Sequence, residues 1–466
     1  MKVLLINPPG DNAISGEIPD VVREGGRLPP LGLLYVAAAL KRAGHEVRFF
    51  DAGNSGAGVR EVLLHVQEFA PDVVGVTATT YQLVDAVHVL AAVKQQRPEA
   101  LRVLGGPHVN AFAVEAAGLE EVDAAFLDEA DESLPAFLAA WKGGLPETAP
   151  PGVLFMRDGK LVRGEPVCRP KDLDELPTPD RSLLDRSLYG DVAVSAGPLA
   201  TVSTSRGCPF ACTFCSTPGP PVRLRDPKAV AEELQELAGQ GFREVYFVDD
   251  TFNLQPERAA ALCEELIRRK LPLTWTCRAR LDRLTPELAR LLKPAGCVRV
   301  QLGVEAATPE ALEVLGKSIT TDDARRAVAL LREAGVPSAA YFMIGLPTDR
   351  AVADIRGTVE FAVELDPDYA VFNVLVPYPG TPLFEVAVAR GLIDPEVWRS
   401  FARHPDSSFQ PPVWTEFLTP AVLYRELRRA YRRFYLRPTP IWRQARRLTP
   451  RNLWAIARRA GDIVRG

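Results

Sequence analysis

Leu199-Ala-Thr-Val-Ser203 runs without a break into Thr204-Ser-Arg-Gly-Cys208-Pro-Phe-Ala-Cys212-Thr-Phe-Cys215, and this stretch decides the fold. Its first five residues form a short apolar run suited to a buried strand. Its second part sets three thiols at a CxxxCxxC spacing on one loop. Three thiolates on a tight loop can hold three irons of a cubic iron–sulfur cluster, leaving the fourth iron open to a small molecule. Pro209 and Phe210 stiffen and dry such a loop, and Gly207 permits a bend. Two plainer readings stand beside this one: chance clustering in a structural loop, and zinc. Structural zinc takes four ligands, and the closest imidazoles in sequence are His108 and His404.

Outward from that strand, the chain alternates apolar strands with helical periodicity on both sides. Downstream, strands are predicted at 199–203, 244–248, 273–277, 299–302, 339–344 and 370–375, with helices between them. Six strand–helix units are too few for a closed eight-fold barrel, so residues 199–384 are expected to form an open, partial barrel. Upstream, residues 1–141 hold strands at 3–6, 46–50, 73–76, 101–104 and 124–127 with four interleaved helices. That pattern predicts a doubly wound parallel sheet with its ligand at the strands' carboxyl ends. Residues 142–198, rich in Pro and Gly, read as a linker with one hairpin near Asp158-Gly159. Residues 385–466 show no strand pattern and read as a helical, basic C-terminal region. The fold class is therefore α/β.

The 466 residues, 47% of them apolar, suffice for two or three packed domains. No secretory or membrane segment is expected, because Val3-Leu-Leu-Ile6 stops at Asn7-Pro8-Pro9. Cys168, Cys263, Cys277 and Cys297 are scattered singly, which argues against a disulfide framework and for a reducing cytoplasm. The net charge of −4 hides an asymmetry. From Arg425 to Arg465 the chain carries 13 Arg against Glu426 and Asp462 alone. Tyr424, Leu427, Tyr431, Phe434 and Tyr435 recur there at helical spacing. Three roles stay open for that helix: peripheral contact with an anionic membrane, a cap on the barrel, or contact with a substrate phosphate. Nucleic acid is not expected as a partner.

The thiol loop after an apolar strand resembles the signature of radical S-adenosylmethionine (SAM) enzymes. Phe247-Val-Asp-Asp-Thr-Phe252, Gly303-Val-Glu-Ala306, Gly345-Leu-Pro347 and Pro379-Gly-Thr-Pro-Leu383 extend the likeness to one subgroup, the cobalamin-binding radical SAM proteins. The resemblance covers roughly residues 1 to 440. It implies a [4Fe-4S] cluster on Cys208, Cys212 and Cys215, which cleaves SAM to a 5′-deoxyadenosyl radical after reduction by a flavodoxin or ferredoxin. It implies a SAM pocket drawn from Asp249, Asp250, Arg280, Glu305 and Gly345. Each has a plain alternative: an N-cap for Asp250, an ion pair for Arg280, a surface carboxylate for Glu305, a tight turn for Gly345.

The same resemblance implies cobalamin on the N-terminal sheet, its tail held near Thr77, Thr79, Gly105 and Gly106. A degenerate domain kept for stability is the alternative. Better-known cobalamin domains carry a DxHxxG motif. Here Asp51-Ala-Gly-Asn-Ser-Gly56 has Gly53 where the cobalt-ligating His would stand, so histidine ligation is not expected. His108 is read as a loop histidine. With three thiols rather than six, and no cysteine before Cys168, a tRNA methylthiotransferase is nearly excluded. The implied activity is methylation of an unactivated centre in a small-molecule substrate, a lipid or secondary metabolite, with the two domains facing each other across it. Radical cyclisation or oxidation without methyl transfer is the second expectation. A non-catalytic cobalamin and iron–sulfur sensor or carrier is the third.

Overall fold

A computed structural model describes residues 1–14, 27–141, 143–167, 169–190, 197–216 and 221–446. They divide into two compact units. The described parts of 1–16, 29–188 and 394–411 form one, and those of 17–28, 189–393 and 412–466 form the other. Cys168 and the arginines beyond residue 446 lie outside the described residues.

In the N-terminal unit, β1 (Lys2–Asn7), β2 (Glu46–Asp51), β3 (Val73–Thr77), β4 (Leu101–Gly105) and β5 (Ala124–Phe126) pair in parallel in the order β2-β1-β3-β4-β5. Val3, Leu4, Leu5 and Ile6 are all buried, as a strand covered on both faces requires. The two-residue period sorts them. Leu4 and Ile6 pack with Val74, Val76 and Leu104 in one core, while Val3 and Leu5 pack with Val73 and Val103 in the other. The order places a crossover switch between β1 and β3, where ligands of such sheets bind.

Residues 142–198, expected as a linker, contribute more than a connection. β6 (Val153–Arg157) and β7 (Lys160–Arg163) join the same sheet antiparallel, extending it to seven strands. Asp158 (φ 50°) and Gly159 (φ 74°) make the left-handed two-residue turn that suits strand twist. Residues 385–466 are likewise not one piece. Residues 394–411 belong to the N-terminal unit: Phe401 enters its core and stacks on Phe409 at 4.4 Å. Arg399 of the helix Val397–Arg403 lies 2.6 Å from buried Glu115.

The second unit begins at β8 (Leu199–Val202). A short antiparallel ladder of β9 (Ser205–Arg206) and β10 (Arg223–Leu224) follows. Then β11 (Glu244–Phe247), β12 (Thr274–Ala279), β13 (Cys297–Glu305), β14 (Ser338–Ile344) and β15 (Tyr369–Val374) complete an all-parallel, six-stranded sheet in the order β15-β14-β13-β12-β11-β8. Every neighbour is the next strand in sequence, as in a barrel left open. Intervening helices start on recurring Thr-Pro steps. Thr285, Thr308 and Thr381 cap the N–H groups of Leu288, Ala311 and Phe384, and proline occupies the first turn.

β15 is an open edge, and the helix Pro420–Tyr435 covers it. The Tyr431 hydroxyl accepts from Phe372 N (3.1 Å) and donates to Phe372 O (3.0 Å); Tyr435 does the same at Ala370 (3.1 and 2.9 Å). Two phenols thus replace the missing strand. Leu423, Leu427, Ala430, Tyr431 and Phe434 are buried beneath the helix. Two of its charges are tied to the barrel unit's helix Val352–Leu365, Glu426 to Arg356 and Arg433 to Glu360. Among the described residues the helix's apolar face packs on the barrel, which is the geometry of the cap. Among the described residues no helix is long and apolar enough to cross a membrane.

Candidate functional site

The thiol loop leaves the carboxyl end of β8 and is tied at its base by the β9–β10 ladder (Ser205 with Leu224, Arg206 with Arg223). Gly207 (φ 89°) takes the left-handed bend that a side chain would oppose. Cys212 O accepts from Cys215 N at 3.1 Å, closing a tight turn between two thiols. Thr213 clamps the loop from outside: its N donates to Leu315 O (3.0 Å), its Oγ1 to Val314 O (2.8 Å), and its O accepts from Leu383 N (3.0 Å). Gly316 (φ 62°) admits this approach, since a Cβ there would sit 2.9 Å from Ala211 O.

Cys208 and Cys212 are half-buried, Cys215 is exposed, and none of the three is in a disulfide. Burial pushes the Cys212 thiol up, while the cations Lys317 and Arg280 pull it down. Among the described residues no group of three or more His, Cys, Asp or Glu is placed to hold a single metal ion. In a cubic cluster each thiolate would meet a different iron.

Asp249 is wholly enclosed. Its carboxylate accepts from Thr204 N (2.6 Å), Ser205 N (3.1 Å) and the Thr204 hydroxyl, and burial raises its pKa. It therefore fixes the start of the cluster loop. Arg258 reinforces the same corner, donating to Thr204 O at 2.7 Å. Asp250 is exposed beside it and caps no helix, because the next one, Pro256–Arg269, begins after Gln255.

Arg280 takes the ion-pair geometry. Its Nε lies 2.9 Å and its Nη2 3.2 Å from the Asp282 carboxylate, and its guanidinium stacks on Phe210 of the cluster loop at 3.7 Å. Asn253, buried and not singled out by sequence, exchanges hydrogen bonds of 2.9 and 3.0 Å with the Arg280 backbone. Glu305 ends β13 after a register shift, at φ 68°, and pairs with Lys317 at 2.6 Å. Lys317 also donates to Gly303 O at 2.6 Å. A Cβ on Gly303 would fall 2.4 Å from Glu305 Oε1 and 2.5 Å from Lys317 Nζ, so any larger residue there would have to displace that ion pair. Lys317 had no sequence signal, lying outside every quoted motif; only the fold brings it to Glu305.

Gly345 (φ 73°) follows β14, and its N donates to Asp349 at 2.7 Å, as Leu346 N does at 2.9 Å. This is the tight-turn geometry. Burial raises Asp349 to about 6.

In the N-terminal unit, Thr77, Thr79, Gly105 and Gly106 converge at the ends of β3 and β4. Ala78 N donates to Gly105 O, and His108 N to Ala78 O, both at 2.9 Å. Gly106 (φ 97°) leaves no room for a Cβ, which would meet Thr77 Oγ1 at 2.5 Å and Ala78 O at 2.8 Å. Thr79 Oγ1 donates to Gln82 at 3.0 Å. His108, read as a loop histidine, lies in the short helix Pro107–Ala111 and is wholly buried. Asp51 caps the turn after β2 and accepts from Asn7 Nδ2 at 2.7 Å. Gly53 is closed to any side chain: a Cβ would sit 2.7 Å from Pro8 O.

A thiol loop at the mouth of an open barrel, on one chain with a switch-point sheet, defines an iron–sulfur enzyme with a second cofactor domain. The sequence profile of the Radical SAM superfamily matches residues 202–362, and that of the B12 binding domain matches 20–138. The chain is 34% identical over 446 residues to the uncharacterized methyltransferase PH0819 of Pyrococcus horikoshii, covering 94% of this chain and 93% of that protein. It is 30% identical over 431 residues to the anaerobic magnesium-protoporphyrin IX monomethyl ester cyclase of Cereibacter sphaeroides, covering 88% and 68%. The solved structure of TsrM from Kitasatospora setae with cobalamin and [4Fe-4S] cluster bound shares the fold, with a TM-score of 0.67 at 22% identity over 84% of this chain and 78% of that one.

The chain belongs to the cobalamin-binding radical SAM family. It is an enzyme whose cofactors are a [4Fe-4S] cluster, SAM and cobalamin. Its residues fit both resident groups. Three cysteines outside any disulfide, with two cations near Cys212, suit an iron–sulfur cluster, and the β3–β4 edge holds a buried, unpartnered imidazole nitrogen that a bound tail could satisfy.

Proposed function

We propose that the enzyme methylates an unactivated centre in a lipid or secondary metabolite. The observation that carries this is the pairing, in one chain, of a pinned three-thiol loop with a switch-point sheet whose β3–β4 end packs closely at Gly106 and holds a buried, unpartnered imidazole nitrogen. Similarity to a methyltransferase over 93% of that relative's length supports it. When bound, the cluster supplies an electron to SAM and cobalamin carries the methyl group.

The chain's own part is placement. Asp249 and Thr213 fix the cluster loop, and Arg280 on Phe210 keeps water from its flank. Lys317 and Arg280 offset the negative charge of three thiolates. Asp250, Glu305 and Gly345 remain the proposed surroundings of SAM, and Thr77, Thr79, Gly105 and Gly106 those of the cobalamin tail. A flavodoxin or ferredoxin is the proposed reductant.

A second reading, radical cyclisation without methyl transfer, is favoured by the cyclase relative. Anaerobic turnover with a substrate panel separates the two. Methylation yields both S-adenosylhomocysteine and 5′-deoxyadenosine per product. Product formed with 5′-deoxyadenosine alone would refute methylation, and no SAM cleavage by fully reconstituted protein would leave only a sensor or carrier.

A further inference from the structure

His108 has a nitrogen without an assignment. It is wholly buried, and its Nε2 has no hydrogen-bond partner. Its surroundings already engage the rest of the residue. Nδ1 is held 3.2 Å from Thr80 Oγ1, Phe112 stacks on the ring at 5.1 Å, and the His108 backbone N is bonded to Ala78 O. Buried polar groups in native proteins are rarely left unpaired, because each one strands a desolvated donor or acceptor.

The position narrows the partner. His108 follows Gly105-Gly106 at the carboxyl end of β4, on the edge where an open parallel sheet binds its ligand. Burial lowers His108 to about 4, so the ring is neutral at working pH, one nitrogen donating and the other accepting. A neutral imidazole suits the phosphodiester, ribose or benzimidazole of a nucleotide tail.

We propose that His108 Nε2 hydrogen-bonds the nucleotide tail of cobalamin. This rests on cobalamin binding by the N-terminal unit and adds a tail contact contributed by that unit. The contact acts on affinity for the tail and leaves the corrin ring alone.

The test titrates full-length protein with hydroxocobalamin and with dicyanocobinamide, which lacks the nucleotide tail, following visible absorbance. His108→Phe keeps the ring's shape without its nitrogens. It should bind cobalamin about tenfold more weakly and cobinamide as wild type does. His108→Asn keeps a polar atom for Thr80 and lacks Nε2, and should give the same selective loss if the Phe variant does not fold. His108→Gln, whose amide reaches the Nε2 position, should restore most of the affinity. Equal losses for both ligands, or none for either, would overturn the contact. So would nitrogen splitting from His108 in the cob(II)alamin EPR spectrum, which would make the residue a cobalt ligand. Wild type that binds cobinamide and cobalamin not at all would sink the cobalamin reading itself.

Discussion

Lys317→Met should destabilise the barrel unit by about 3 kcal/mol, and the Lys317–Glu305 pair shows why. The ions lie 2.6 Å apart with side-chain exposures of 9% and 13%. At an effective dielectric of ~20 that separation gives about 6 kcal/mol of attraction. Desolvation of both ions removes most of it, leaving a net contribution of about 1 kcal/mol. Removing one partner is worse than removing both, because the other stays charged and nearly buried. Glu305 is already in a left-handed conformation, which costs roughly 1–2 kcal/mol, and the bond to Lys317 is among the contacts that hold it there. The assay is a double-mutant cycle on apo protein, with hydrogen exchange of β13 amides reporting the barrel unit alone. Lys317→Met should cost about 3 kcal/mol, Glu305→Gln about 2 kcal/mol and the two together about 1 kcal/mol, a coupling of about 4 kcal/mol. A coupling below about 0.5 kcal/mol would refute the reasoning.

Tyr431→Phe keeps the ring against Phe372 but strands a buried N–H and C=O, so β15 should lose about 2–4 kcal/mol of protection, read as faster exchange at the Phe372 amide. Tyr435→Phe, nearer water, should cost about 1 kcal/mol at Ala370. Asp349 has its pKa raised to about 6, so the folded state binds its proton more tightly than the unfolded chain. Stability should therefore fall as pH rises from about 4 to 6, by up to about 3 kcal/mol, and denaturation of Asp349→Asn should lack that slope. Gly316→Ala forces a Cβ toward Ala211 O in a left-handed backbone. It should lower iron retained after anaerobic reconstitution by more than half, while full iron content would show that the loop gives way easily.

The alternation of strands was legible because both units are parallel sheets buried on two faces, where apolar runs are continuous and helices follow each run. Eleven predicted strands fall on β1–β5, β8 and β11–β15 within a few residues. The hairpin at Asp158-Gly159 was legible from its turn residues, but its membership in the sheet was not, because pairing Ala125 with Leu154 leaves no local mark. The thiols announced themselves by spacing. Lys317 and Asn253 did not, because their partners Glu305 and Arg280 are brought to them by the barrel. The role of the basic helix was left open for a related reason: an amphipathic face looks alike whether lipid or a sheet edge covers it, and the hydroxyls of Tyr431 and Tyr435 on β15 carry no local sequence mark.

The return of residues 394–411 to the N-terminal unit bears on how the chain is made. Phe401 fills a core whose other members are all translated before residue 155. On the ribosome that core waits for the entire barrel to be synthesised, a delay of roughly 10–50 s at ~5–20 residues per second. An N-terminal fragment cut at residue 188 would therefore emerge with an unfilled hollow, and chaperone dependence during synthesis should concentrate in that interval.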